Sequence, residues 1–237
     1  MYCSWLDHQD PFLRLGPFKY EALHNKPQIA IIRDFASGPE LSRIKEEARG
    51  HMKSTPYVTG TTENAYSKLR TSKVMYMNEV LVPMAMDLSR KISQVTRFRM
   101  KDEKYASENF QVMNYGIGGR ISAHLDSVGG YSEHSSESVD YGGERITTFM
   151  IYMSSVEAGG HTVFPQSGIS VQPVEGDALY WFNLGSHFTY DSRIYHLGCP
   201  VMYGNKWIAN KWVKILPQFK NYPCDQNETY FSIHKKR

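Results

Sequence analysis

The pattern of apolar positions changes character part-way along the chain. Residues 1–30 are rich in proline, histidine and aromatics with no clear period, and they read as an irregular entry segment. Gln28–Phe35 (QIAIIRDF) is an apolar run of strand length. Ser37-Gly38-Pro39-Glu40 then reads as a helix start, with Ser37 as cap, Glu40 closing the capping box, and Leu41, Ile44 and Ala48 at helical spacing behind it. A second helix is predicted to open at Pro83, because the N–H that proline lacks has no intrahelical partner in a first turn. Met84, Leu88, Ile92 and Val95 form its apolar stripe, which reads as a core-facing surface.

After about residue 105 the runs shorten. Phe110–Tyr115, Ile146–Met153, His161–Phe164, Ile169–Val171, Ala178–Leu184 and Trp207–Ile215 are β-branched or aromatic and of strand length. Glycine turns such as Gly118-Gly119, Gly142-Gly143, Gly159-Gly160 and Gly204-Asn205 separate them. Many short strands between such turns point to a double-sheet sandwich or barrel. The predicted fold is therefore mainly β with N-terminal helices. Residues 1–105 supply the entry segment and the supporting helices, packed on a β core over 106–237 as one domain.

Composition narrows the function classes. Across 237 residues, 27 basic and 24 acidic side chains leave a formal charge of +3, which is no footprint of a dedicated nucleic-acid binder. The basic end His234-Lys235-Lys236-Arg237 reads as a solvated tail. No apolar run approaches the roughly 18 residues of a membrane span. Three cysteines, Cys3, Cys199 and Cys224, are too few for a disulfide scaffold. They are either reduced thiols, or one disulfide with Cys3 left over. The sequon Asn227-Glu228-Thr229 carries weight only in a secreted chain, and Met1–Trp5 has no signal-peptide pattern. The chain is then either cytosolic or a piece without its targeting segment.

Phosphate-loop, serine-elbow and H-E-x-x-H motifs are absent. Gly116-Ile117-Gly118-Gly119 lacks dinucleotide spacing and reads as a strand turn. What stands out is His124-Leu125-Asp126 just after a strand, with His196 seventy residues on. In extended chain, alternate side chains share a face, so one imidazole and one carboxylate can take adjacent positions on a metal. A third ligand from a distant strand completes a facial two-histidine, one-carboxylate triad with three open positions, which suits Fe(II) holding a cosubstrate and O₂ together. His187 is the nearest rival to His196. Lys206 opens the strand that returns after His196, and a lysine buried there needs an anion, which a dicarboxylate cosubstrate would supply.

At this point the chain resembles the catalytic domain of the collagen prolyl 4-hydroxylase α subunit, from around Cys3 to Cys224. The carriers are Gln111–Gly116 (QVMNYG), the His124/Asp126 pair, Gly159–Pro165 (GGHTVFP), His196–Val201 (HLGCPV) and Gly204-Asn205-Lys206-Trp207. The resemblance implies a double-stranded β-helix (jelly-roll) core with Fe(II) held by His124, Asp126 and His196. It implies 2-oxoglutarate as cosubstrate, with Lys206 on its far carboxylate and Tyr115 and Thr162 assisting. It implies 4-hydroxyproline formation in collagen-like, proline-rich chains with release of succinate and CO₂, and L-ascorbate to rescue oxidised iron. Arg145 and Trp212 match positions lining the peptide groove.

The same resemblance implies a Cys199–Cys224 disulfide in the lumen of the endoplasmic reticulum, a glycan candidate at Asn227, and protein disulfide isomerase as a partner subunit. Cys3 matches a cysteine whose partner lies further upstream in longer members. Departures cluster at the groove: Ile121 replaces an aromatic, Ser122-Ala123 replaces Glu-Pro, Lys214 stands where histidine is frequent, and Ser127–Gly143 diverges most. These leave open another proline-rich substrate or peptidyl lysine for the same chemistry. A non-catalytic interaction subunit is the distant alternative, set against four intact site residues.

Overall fold

The structure, a computed structural model, describes residues 2–54, 72–100, 105–127, 142–223 and 230–233. The first half carries strands β1 (Tyr2–Leu6), β2 (Phe18–Asn25), β3 (Gln28–Arg33), β4 (Lys53–Ser54) and β5 (Lys73–Met77), with helices α1 (Gly38–Arg49) and α2 (Pro83–Thr96). The second half carries β6 (Phe110–Tyr115), β7 (Ile121–His124), β8 (Arg145–Tyr152), β9 (Ala158–Gly159), β10 (Thr162–Phe164), β11 (Ile169–Val171) and β12 (Ala178–Phe182). It closes with β13 (His196–Gly198), β14 (Val201–Tyr203) and β15 (Lys206–Lys214).

These build a nine-stranded sheet of order β1-β2-β3-β12-β8-β15-β6-β5-β4, a four-stranded sheet β11-β10-β13-β7, and the short pair β14-β9. Alternation along β8 and β15 decides what faces where. Phe149, Ile151, Ala209 and Val213 point to the cluster that includes Leu41 and Ile44 of α1 and Leu88, Ile92 and Val95 of α2. Met150, Tyr152 and Ile208 point the opposite way, into a second cluster shared with Phe164 and Val171 of the smaller sheet. Both faces of the large sheet are thus covered, which is why its strands read as unbroken apolar runs.

Both helices begin where the sequence predicts. The Glu40 carboxylate accepts from the Ser37 N–H at 2.8 Å and the Ser37 hydroxyl at 2.7 Å, and Pro83 stands in the first turn of α2. Lys91 pairs with Glu40 at 2.8 Å, tying the two helices together. Lys211, on the helix side of β15, is buried and meets Glu79, whose other oxygen accepts from Ser89 of α2 at 2.5 Å. Among the described residues no helix is long and apolar enough to cross a membrane.

One expectation is overturned. Residues 1–30 are not an irregular entry: β1 and β2 pair antiparallel, Tyr2↔Ala22 through Leu6↔Phe18, and β2 continues onto β3. The order is strands before helices, and the first half supplies β1 to β5 of the large sheet. Tyr20 and Ala22 keep strand alternation, but the β2–β3 register shifts between Ala22 and His24, which breaks the two-residue period. β1 is a mostly exposed edge strand, so burial leaves little mark on its sequence.

Two substitutions separate packing from capping. Leu88→Ala, at a side chain 1% exposed, is expected to cost about 3 kcal/mol of unfolding free energy. Ser37→Ala is expected to cost about 1 kcal/mol. Urea denaturation of the two variants beside the unaltered chain checks both.

Candidate metal centre and its cavity

The site is assembled where the smaller sheet faces the larger one. β7 and β13 are antiparallel neighbours, and their register sets His124 opposite His196, with ring centroids 4.4 Å apart. One local device orients both rings. Nδ1 of His124 lies 2.9 Å from the Ser122 carbonyl oxygen, and Nδ1 of His196 lies 3.0 Å from that of Ile194. A carbonyl only accepts, so Nδ1 carries the proton in each ring and both Nε2 lone pairs stay free for a metal.

Asp126 lies two residues past the end of β7, in a bend rather than in extended chain. The turn still delivers the carboxylate. Oδ1 is 3.5 Å from His124 Nε2 and Oδ2 is 3.8 Å from His196 Nε2. One ligand atom from each of the three residues falls within 4.8 Å of the others. His187 is exposed and lies outside this group.

Burial works to raise the Asp126 carboxyl, but His196, His124 and the Thr148 hydroxyl outweigh it and hold the group well below the usual carboxylate range. Burial pushes the His196 imidazole down to about 4 against the pull of Asp126, so it is neutral, the form in which histidine ligates.

A cavity of about 350 Å³ opens from this cluster toward β15 and β6. Lys206, Ile208, Asn210 and Trp212 line it from one face of β15. Lys206 is 3% exposed and donates to the Thr162 hydroxyl at 3.2 Å, and Tyr152 donates to that same oxygen at 2.9 Å. Its ammonium is 5.9 Å from the Tyr115 ring, and β15 pairs Lys206 with Tyr115 directly. Among the described residues Lys206 forms no ion pair with a carboxylate, and burial pulls its ammonium down to about 7.

Against this geometry the comparisons are informative. The model of the 2OG-Fe(II) oxygenase superfamily matches residues 110–214, a span holding all three clustered residues and Lys206. Over 227 residues the chain is 37% identical to prolyl 4-hydroxylase subunit alpha-3 of Mus musculus, covering 96% of this chain and 41% of that protein. Over 231 residues it is 33% identical to prolyl 4-hydroxylase subunit alpha-1 of Gallus gallus, covering 96% of this chain and 44% of that protein. Over residues 110–214 the chain is thus similar to the 2OG-Fe(II) oxygenase superfamily.

The chain thus spans less than half the length of these curated relatives. Its fold is that of a viral collagen prolyl hydroxylase from Paramecium Bursaria Chlorella virus-1, solved with 2OG. The TM-score is 0.59 at 22% identity, covering 78% of this chain and 95% of that one. A prolyl hydroxylase from Trichoplax adhaerens, solved with a peptide, follows at TM-score 0.52 and 14% identity, covering 80% of this chain and 84% of that one. The core is a jelly roll, with two helices as its main helical support among the described residues. The superfamily is named for Fe(II) and 2-oxoglutarate, and the residues of this chain fit both: two imidazoles and a carboxylate for the metal, and a buried cation with no carboxylate partner among the described residues for the dicarboxylate.

The groove residues also meet at the cavity. The Arg145 guanidinium stacks 3.7 Å over Trp212, binds the Glu108 carboxylate through two contacts of 2.7 Å, and donates to the Asp126 carbonyl at 3.2 Å. Glu108 also pairs with Lys214 at 3.0 Å. Sequence reasoning did not find Glu108, Thr148, Tyr152 or Asn183. Two adjacent threonines inside the apolar run of β8 were the available signal, since a buried hydroxyl needs a partner. Cys3 is exposed on β1 and Cys199 is half-buried after β13. Cys224 and Asn227 lie outside the described residues.

The buried lysine makes the fold pH-sensitive. Between about 7 and the ordinary value of 10.5 the unfolded chain holds one proton more at Lys206 than the folded one, so stability rises with pH across that window. Lys206→Met, melted without cosubstrate, is expected to exceed the unaltered chain in Tm at pH 7, with the gap closing toward pH 10. A gap that does not vary with pH would contradict the assignment.

Proposed function

We propose that this chain forms 4-hydroxyproline in collagen-like, proline-rich chains. The observation carrying the reading is the pairing of two features in one cavity: an open-sided His124–Asp126–His196 cluster, and a buried Lys206 with no carboxylate partner among the described residues. The choice of proline is supported by the relatives named prolyl 4-hydroxylases at 33–37% identity over 96% of the chain.

His124, Asp126 and His196 would hold Fe(II), and Lys206, Thr162 and Tyr115 would hold 2-oxoglutarate by its far carboxylate. Bound Fe(II) and 2-oxoglutarate supply the oxidant: O₂ is consumed, 2-oxoglutarate leaves as succinate and CO₂, and the second oxygen atom ends on the proline ring. The protein's task is orientation and exclusion of water. The Nδ1 contacts to Ser122 and Ile194 fix both imidazoles for ligation. Tyr152 donates into the Thr162 oxygen, so the Thr162 hydroxyl proton is free to meet an incoming carboxylate. Protonated Lys206 supplies the charge, and a bound dicarboxylate restores the ammonium that burial disfavours.

Arg145 and Trp212 form the wall on which the peptide would lie. Lys214, together with Arg145, neutralises Glu108, leaving that wall without an unpaired carboxylate among the described residues. L-Ascorbate would return oxidised iron to Fe(II). The relatives are named as subunits, which supports a partner chain, for which we propose protein disulfide isomerase. The lumen of the endoplasmic reticulum, a Cys199–Cys224 disulfide and a glycan at Asn227 complete the proposal, each resting on the resemblance to collagen prolyl 4-hydroxylases.

The purified chain with Fe(II), 2-oxoglutarate, ascorbate and a Pro-Pro-Gly repeat peptide is expected to release succinate in step with oxygen added to the peptide. Lys206→Ala is expected to raise KM for 2-oxoglutarate about 10- to 100-fold, the loss of one charge-assisted contact. Succinate release that no proline peptide stimulates would redirect the proposal to another substrate.

A further inference from the structure

We propose that Thr148 is a positioning residue for the metal-binding carboxylate, a hydroxyl latch that holds Asp126 by one oxygen, with Asn183 setting the direction of its proton. The inference rests on reading His124, Asp126 and His196 as the iron site. Thr148 and Asn183 have no exposed surface, and neither lines the cavity, so neither meets cosubstrate or peptide. Thr148 comes from β8, where it pairs with Trp181, and Asn183 follows the end of β12, its N–H donating to the Ile146 carbonyl at 2.8 Å.

The hydroxyl has one proton and two acceptors in reach, Asp126 Oδ2 at 2.7 Å and Asn183 Oδ1 at 3.4 Å. Asn183 Nδ2 lies 3.0 Å from the same hydroxyl oxygen and donates to it. With that lone pair engaged, the proton goes to the shorter, charged contact, and the relay runs from Asn183 through Thr148 to Asp126. Oδ2 is thereby tied down, while Oδ1 is the oxygen turned toward His124. A carboxylate binding through both oxygens would occupy two positions on a metal, and a facial triad works by leaving three free. Arg145 secures the other end of the residue by donating to the Asp126 carbonyl. Side chain and backbone of Asp126 are thus held independently, from β8 in both cases.

The test is a titration of Mn²⁺ into the metal-free full chain, with free ion counted by electron paramagnetic resonance. Thr148→Val keeps the shape and removes the proton, and it is expected to weaken Mn²⁺ binding about tenfold or more. Thr148→Ser is expected to restore affinity to within about threefold of the unaltered chain. The visible absorption of the Co²⁺-loaded protein should shift in the valine variant and return in the serine variant, a change of coordination that packing loss alone does not produce. A folded Thr148→Val chain that binds Mn²⁺ as the unaltered chain does overturns the latch, as does a serine variant no better than valine. Should Thr148→Val fail to fold, Asn183→Ala decides: weakening of about threefold or more supports the relay, and unchanged affinity overturns it. An unaltered chain that takes up no Mn²⁺ overturns the iron-site reading and the latch with it.

Discussion

Burying both faces of a nine-stranded sheet takes two covers of different kinds, and the site sits where, among the described residues, the second cover leaves off. On one face α1 and α2 press Leu41, Ile44, Leu88 and Ile92 onto the strands, and the buried Lys211 there is matched by Glu79. On the other face lies, among the described residues, a sheet of four strands, β11-β10-β13-β7. Phe164 and Val171 close one end against Trp181 and its neighbours, and the remainder stands open as the cavity. Side chains that strand alternation directs inward at that opening have no apolar surface to meet. There the chain places its imidazoles, its carboxylate and its buried lysine.

The electrostatics of the cavity follow from the same gap. Lys206, with no carboxylate partner among the described residues, is an arrangement that folding by itself disfavours. Around it, Asn210 Oδ1, Trp181 Nε1 and Trp212 Nε1 are buried and find no hydrogen-bond partner among the described residues. Unsatisfied polar atoms of this kind weaken a fold, and their concentration on the lining of one cavity marks it as built around something else. Asp126 stands in contrast. The Thr148 hydroxyl donates to its side chain and Arg145 to its carbonyl, so Asp126 is held at both ends while no carboxylate among the described residues pairs with the lysine.

Where the pattern in the chain was strong, local chemistry and tertiary structure agree. Ser37 and Glu40 cap α1, Pro83 opens α2, and β6, β8, β10, β11, β12 and β15 lie within a few residues of the apolar runs that announced them, whereas the short strands β7, β9, β13 and β14 had no such run. Those signals are local: a cap, a first turn, a run between glycines. β1 and β2 failed the same reading because an edge strand is half solvated and a register shift at Ala22/His24 interrupts the period. Thr148 and Asn183 were illegible for another reason. Their importance lies in distances across 22 and 35 residues of chain, and no spacing rule joins a threonine in β8 to an aspartate after β7.

By itself the sequence determined the chemistry available: which residues ligate, that a strand-borne lysine follows the second histidine, and which family those motifs resemble. The chain carries that information because ligand identity and turn chemistry are properties of single residues and short stretches. Tertiary structure alone decided that His124 stands opposite His196, that Lys206 is buried with no carboxylate partner among the described residues, and that Arg145 is locked to Glu108 and Trp212 rather than solvated. Register, burial and the pairing of charges arise only when strands distant in sequence are set side by side, since each is a relation between residues and not a property of any one of them.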